Sequence, residues 1–390
     1  MLMPRSPDKP IVLPQPVARQ IWLRAQGLAE SAPFGSGPEA TPRAVAHLGY
    51  VQIDTIHVIE RCHHHILYNR IPDYERDHLR QAQSVDKTVF EYWTHALSYV
   101  PTADLPFFIG AMRRHRLAPG NGFDSVSKQA LNKVLARIRR DGALSIRDIA
   151  DDELVEKTHP WASKKPSKRA LQLAFYNGLV TISARAGMLK TYELIDRHFG
   201  WEKAPRAATE KQVLDYLLDR ALRSQGIVSL DSICHLDAKR KPMIRAVIEA
   251  RVRGGQLVRA VIAGGEQVAH WVSPDLLDTA STPPPAKPRV HILSPFDPLI
   301  IQRKRLQLFF DYEHRFEAYV PKEKRVYGYF SLPVLIDDEV VAAIDLKTDR
   351  AQRKLLVQQW TWLGQGDAAR HQVHIEDALH RFERFQLVGH

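Results

Sequence analysis

The segment Gly49-Tyr50-Val51-Gln52-Ile53-Asp54-Thr55-Ile56 alternates polar and apolar residues between two helical patterns. In an extended backbone Gln52 and Asp54 share a face, because side chains along a strand repeat every second residue. A carboxylate beside a carboxamide can fix and deprotonate a water or stabilise a developing cation, and the amide supplies both a donor and an acceptor. The same spacing also fits Asp54 as the N-cap of a helix starting at Thr55, and both readings stay open at this level. His57, Cys62, His63, His64 and His65 resemble a metal cluster in composition. Adjacent histidines on a helix point in different directions, and the set lacks an i, i+4 ligand pair, so no metal site is expected. His63 is read instead as a packed or hydrogen-bonding residue facing the same interior as Asp54. Trp93 and His95, in Phe90-Glu91-Tyr92-Trp93-Thr94-His95-Ala96, can line a base-sized pocket or belong to a core.

Cations gather at two places: Lys164, Lys165, Lys168 and Arg169 in one, and Lys239, Arg240, Lys241 and Arg245 in the other. Both groups precede or open the third helix of a repeated unit, and Arg185 is expected at a hairpin tip. Such cations can pair with phosphates, or they can simply form a solvated face. Recurrence at equivalent positions favours DNA. No Gly-rich phosphate loop, nucleophile elbow or CxxC pair appears.

The repeat is the element-level feature that organises these residues. Gly142, Ser145 and Ile149 recur as Gly226, Ser229 and Ile233, at a constant offset of 84 residues. In each copy an amphipathic helix (from Ser127, with Leu131, Val134, Leu135 and Ile138 inward, and from Glu210, with Val213, Leu217 and Leu218 inward) leads to a capped second helix. A third helix follows, ending at Asn177-Gly178 or Gly254-Gly255, and a hairpin closes the unit. Three helices closed by a hairpin predict a winged helix. The predicted class is α+β: tandem winged helices followed by a small antiparallel β domain. The expected organisation is a flexible tail over 1–15 and a first, elaborated winged helix over 16–125. That domain has helices at 16–27 and 42–48 and a further helical stretch after Thr55. Second and third winged helices follow over 126–204 and 205–280. The Pro-rich stretch 281–288 is the predicted linker, and 289–390 the β domain. Its expected strands lie at 316–320, 326–332, 334–336 and 340–346, with a tight turn at Asp337-Asp338-Glu339 and a terminal helix over 367–385.

Composition bounds the rest. The 390 residues carry 55 Lys plus Arg against 44 Asp plus Glu, a net charge of +11, and 44% hydrophobic side chains, enough for folded cores. Two cysteines exclude a disulfide framework and fit a reducing compartment. No stretch approaches the ~18 apolar residues of a spanning helix, and the N-terminus has no apolar signal region, so a cytoplasmic, nucleoid-associated protein is expected.

Several motifs in order carry a resemblance: Gln52-Ile53-Asp54, Arg61-Cys62-His63, Trp93-Thr94-His95-Ala96, Ser294-Pro295-Phe296-Asp297-Pro298-Leu299 and Arg325-Val326-Tyr327-Gly328-Tyr329. Together, from about residue 16 to the C-terminus, they resemble the bacterial winged-helix DNA glycosylases of the YcaQ type. The resemblance implies excision of alkylated purines and unhooking of interstrand crosslinks, without a cofactor, by a protein expected to be a monomer acting on damaged double-stranded DNA. It implies a catalytic motif of Gln, an apolar residue, then Gln or Asp. Here that motif is Gln52 and Asp54, in the Asp-bearing branch, with Arg61, His63, Trp93 and His95 as supporting pocket residues. A non-enzymatic winged-helix regulator is the alternative, for which Asp54 only caps a helix, and a protein-interaction scaffold is a further one.

Overall fold

The computed structural model describes residues 9–124, 126–149, 165–278 and 287–388. Lys164 and residues 281–286 of the predicted linker lie outside them. The chain forms two compact units: one joins the residues up to Tyr74 with those from Leu214 onward, and the other is Glu75–Val213. The expected first domain, 16–125, therefore crosses a boundary at residue 74.

In the first unit, helix Gln15–Ala25 buries Ala18, Ile21, Trp22 and Leu23. Its apolar face meets helix Arg303–Phe310, with Trp22 edge-on to Phe309 at 4.9 Å between ring centroids. Burying its three large side chains contributes on the order of 6 kcal/mol. Ile11–Leu13, expected to be tail, is a strand: it pairs in parallel with Ala260–Ile262. Its alternating Ile-Val-Leu side chains place Leu13 in the core, and the open edge of the hairpin supplies the hydrogen bonds.

The C-terminal sheet runs in the order Val290–Ile292, Ser331–Ile336, Glu339–Asp349, Lys354–Trp362, all antiparallel. Strand Ser331–Ile336 is buried along its whole length because both faces are covered. Leu332, Val334 and Ile336 pack with Ile375, Ala378, Leu379 and Phe382 of the terminal helix Ala368–Leu387, whereas Leu335 joins Trp22 and Phe309. The N-terminal helix, the second repeat copy and the C-terminal sheet thus share core. Strand Lys354–Trp362 was not predicted from sequence. Segments 316–320 and 326–330, expected as strands, are irregular. In the second of these, the N–H groups of Val326, Tyr327, Tyr329 and Phe330 bond to side-chain carboxylates instead of to a neighbouring strand.

Both repeat copies have the same order of elements. In the second unit, helix Lys128–Asp141 is capped by the Ser127 hydroxyl and closed by Gly142 at φ +91°. The short strand Leu144–Ser145, a capped turn at Ile146–Asp148, helix Pro166–Tyr176 and the hairpin Val180–Ala186/Leu189–Leu194 follow. In the first unit the corresponding elements are Glu210–Gln225, Gly226 at φ +68°, Ile227–Val228, Leu230–Ile233, Lys241–Arg253 and the hairpin Val258–Ile262/His270–Val272. In each copy the short strand pairs with the returning strand of the hairpin. The serine that opens the second element makes a reciprocal capping box, Ser145 with Asp148 and Ser229 with Ser232. In the first copy the described part of that element is a single 3₁₀ turn.

Candidate active site

Val51–Gln52 is extended and buried, with Gln52 6% exposed. Ile53 is buried next to it and Asp54 is half-buried; the strand stops at Gln52, so burial does not alternate through Asp54. No helix starts at Thr55; residues 53–61 are irregular and the helix begins at Cys62. Asp54 still bonds its own backbone, accepting the Ile56 N–H on Oδ1 at 2.8 Å. This is an Asx turn, which fixes the carboxylate without a helix to cap. Among the described residues nothing hydrogen-bonds its second oxygen, which leaves an acceptor for a reactant.

The loop behind Asp54 is held from the C-terminal sheet. Thr348 donates its N–H to the Val58 carbonyl at 3.0 Å and Arg350 its guanidinium to Ile59 at 3.0 Å, while Ile59 is fully buried. Cys62 returns the chain to the site, its thiol donating to the Gln52 carbonyl at 3.0 Å. Burial, and then the Asp54 charge, push that thiol well above its ordinary pKa, so it stays neutral. Glu60, 4% exposed, accepts the Arg61 N–H at 2.8 Å. His63 is buried, 4.3 Å from the His64 ring. His64 bonds Tyr74 at 2.7 Å and His65 bonds the Ile292 carbonyl at 2.7 Å, so these rings have partners of their own. Among the described residues no group of three His, Cys, Asp or Glu is placed to hold a metal.

Beneath the helix Cys62–Tyr68 lies a buried ion pair. Arg70 donates to both oxygens of Asp297, at 2.7 and 2.9 Å, and to the carbonyls of Gln26 (2.8 Å) and Ile66 (3.0 Å). Both side chains are fully buried, and the hydrogen bonds offset their desolvation. Asp297 of the Ser294–Leu299 motif thereby anchors Arg70, while Leu299 packs in the core.

Gln52, Asp54, Arg61 and His63 therefore belong to the first unit. Trp93 and His95 belong to the second, where the hairpin Val89–Trp93/Leu97–Pro101 places them at its tip. Trp93 is 49% exposed, 6.2 Å from the Tyr176 ring, and is not a core residue.

The phosphate-contact expectations divide. Lys165, Lys168 and Arg245 are exposed. Arg240 pairs with Asp237 at 2.7 Å and Lys241 with Asp231. Arg169 and Arg185 turn inward, contrary to expectation. Arg169 is 5% exposed and donates to the Gly122 carbonyl at 2.6 Å, because it shares a helix face with buried Leu173. Arg185 lies in the hairpin strand rather than at its tip, and its guanidinium grips Glu91, at 2.6 Å to Oε2, where neither side chain is exposed beyond 6%. Neither is available to a phosphate. Sequence alone points to Cys62 only as part of a His/Cys group and of a motif, and it gives no sign of Glu60, Arg70, Glu317 or Asp345; a lone acidic residue within an apolar motif, as in Asp297, is the usable signal.

These small sheets and capped helices form the fold of a DNA-repair glycosylase. The solved structure of Streptomyces sahachiroi DNA glycosylase AlkZ superposes with a TM-score of 0.60 over 95% of this chain and 96% of that one, at 15% sequence identity. The family itself is shown by sequence: the profile described as "DNA glycosylase AlkZ-like" matches residues 45–385, and the chain belongs to that family. Its substrate is DNA and its reaction is the release of a base. No helix among the described residues is long and apolar enough to cross a membrane.

Proposed function

We propose that the chain hydrolyses the N-glycosidic bond of alkylated purines of the N7-alkylguanine type, unhooks interstrand crosslinks built on that bond, and does so as a monofunctional glycosylase. An N7-alkylated purine already carries positive charge and leaves with little protonation, while the sugar becomes oxocarbenium-like. What remains for the protein is to stabilise that cation and activate water. Asp54 does both, as electrostatic stabiliser and general base, and Gln52 positions the water or the deoxyribose. The observation that carries the reading is the Asp54 carboxylate, tied down by one oxygen in an Asx turn and open at the other. The hydrolytic route is supported by the lack of any lysine between Lys9 and Lys87, which leaves no amine in the Gln52–Asp54 segment to form a Schiff base.

Both repeat copies are winged helices in this proposal, supported by their common element order and by the pairing of the short strand with the hairpin. Lys165, Lys168 and Arg245, exposed on or beside the third helices, then meet phosphates. His63 and Arg61 support the Asp54 loop, and Trp93 and His95 reach the DNA from their hairpin tip.

The test is release of 7-methylguanine from duplex DNA under single-turnover conditions. Asp54→Asn is expected to slow it by about 10²–10⁴-fold, and Gln52→Ala by less, with unchanged melting temperatures. Borohydride should trap no covalent DNA adduct. Wild-type-like release by Asp54→Asn would falsify the assignment.

A further inference from the structure

The irregular segment between helix Arg303–Phe310 and strand Ser331–Ile336 is held by two buried carboxylates. Glu317, 5% exposed, accepts the N–H groups of Val326 (2.8 Å) and Tyr327 (2.7 Å). Asp345, 6% exposed, accepts those of Tyr329 (2.7 Å) and Phe330 (2.9 Å). Two carboxylates buried in this way are costly unless hydrogen-bonded, and here they replace the missing strand partner for four backbone donors. Gly328 lies between them at φ +113°, where a Cβ would sit 2.2 Å from the Asp345 carboxylate. These bonds and the positive φ at Gly328 define the loop's conformation.

That conformation displays side chains that a loop-closing device does not need. Tyr319 is 76% exposed, Val326 46% and Tyr329 40%. The Arg325 guanidinium lies 4.9 Å over the Tyr329 ring and is itself tied to the Val320 carbonyl at 2.8 Å. Lys322 and Lys324 are exposed beside them. One face of the ring is backed by a fixed cation, and the residue remains open to solvent. The loop shares a core with the segment after Asp54: its inward residues Phe316 and Phe330 belong to the same hydrophobic cluster as Ile56 and Ile59.

We propose that this loop is a stacking platform on which Tyr329, backed by Arg325 and helped by Tyr319, holds a nucleobase unstacked from the DNA beside the lesion, while Lys322 and Lys324 face the flanking phosphates. Aromatic rings accept any base on a π-face, and a pre-ordered ring loses little entropy in doing so. Extracting or tilting a damaged purine leaves an unstacked neighbour or partner base, and the platform fits that base. This rests on the chain's action on duplex DNA and deepens it.

The experiment uses the full chain and a labelled duplex holding a tetrahydrofuran abasic analogue opposite 2-aminopurine, with an undamaged duplex as control. Tyr329→Ala and Tyr329→Leu are expected to weaken binding to the abasic duplex by roughly 5- to 100-fold and to abolish the stacking change in 2-aminopurine fluorescence. Tyr329→Phe keeps both, and binding to the undamaged duplex changes little. Binding and fluorescence like wild type in the Ala and Leu variants overturn the proposal, as does an equal loss on both duplexes, which indicates phosphate contact alone. Asp54→Asn separates the two readings. If it still releases base, the catalytic assignment fails while the binding result for Tyr329 stands; if it binds normally and releases nothing, a failure at Tyr329 concerns the platform only.

Discussion

Cys62 shows at the residue scale how little of the site is visible in residue type. Its thiol is bonded to the Gln52 carbonyl and raised in pKa by its burial and by the Asp54 charge. Cys234 is likewise buried, and its thiol is pushed up to about 11. A neutral, inaccessible thiol does not react with electrophiles. At pH 8 the native protein should leave both thiols unmodified by a disulfide reagent and release two equivalents only on denaturation. Fast labelling of Cys62 in the native protein would show the Asp54 loop to be open. Alternation in the sequence suggests a shared face for Gln52 and Asp54, whereas the contact across ten residues from Cys62 has no periodic signature.

At the scale of elements, the two buried ion pairs decide which cations are structural. Asp297→Ala leaves Arg70 charged and unpaired, and should cost about 3–5 kcal/mol, read as a fall in denaturation midpoint. Arg185→Ala strands Glu91 in the second unit and should cost a similar amount. By contrast, Arg245→Ala should leave stability within about 0.5 kcal/mol while reducing the slope of log K against log salt by about 1. An unchanged slope for Arg245→Ala would remove the third helix of that copy from the DNA contact. Charge runs in a sequence do not distinguish these classes, since a helix that is apolar on most sides also turns its cations inward. The capping serines and closing glycines of the repeat were legible because their effects are local.

At the scale of the molecule, the first unit is sensitive to acid. His65, His270 and His314 are buried and bonded as neutral rings, with pKa values lowered by burial to about 4, 4 and 3. In the unfolded chain they titrate near 6.5, so between about pH 6.5 and 4 the unfolded state binds protons that the native state does not. Stability is full above pH 6.5 and falls with acid across that window, by about 1.4 kcal/mol per pH unit for each histidine. Urea midpoints at pH 7.0, 6.0 and 5.0 should decline steadily in the first unit. A flat profile would mean that these rings are solvated in the native state.

By itself the sequence determined the repeat, the caps, the terminal helix and the tight turn in the C-terminal sheet, all set by interactions within a few residues of chain. The tertiary structure alone decided that the presumed tail adds a strand to a distant hairpin, and that the N-terminal helix and the C-terminal sheet share one core. It also decided that Arg185 and Arg169 are buried and that residues 326–330 hang on two carboxylates rather than on a strand. Those outcomes follow from burial and from pairing between residues far apart in sequence, which no local pattern encodes.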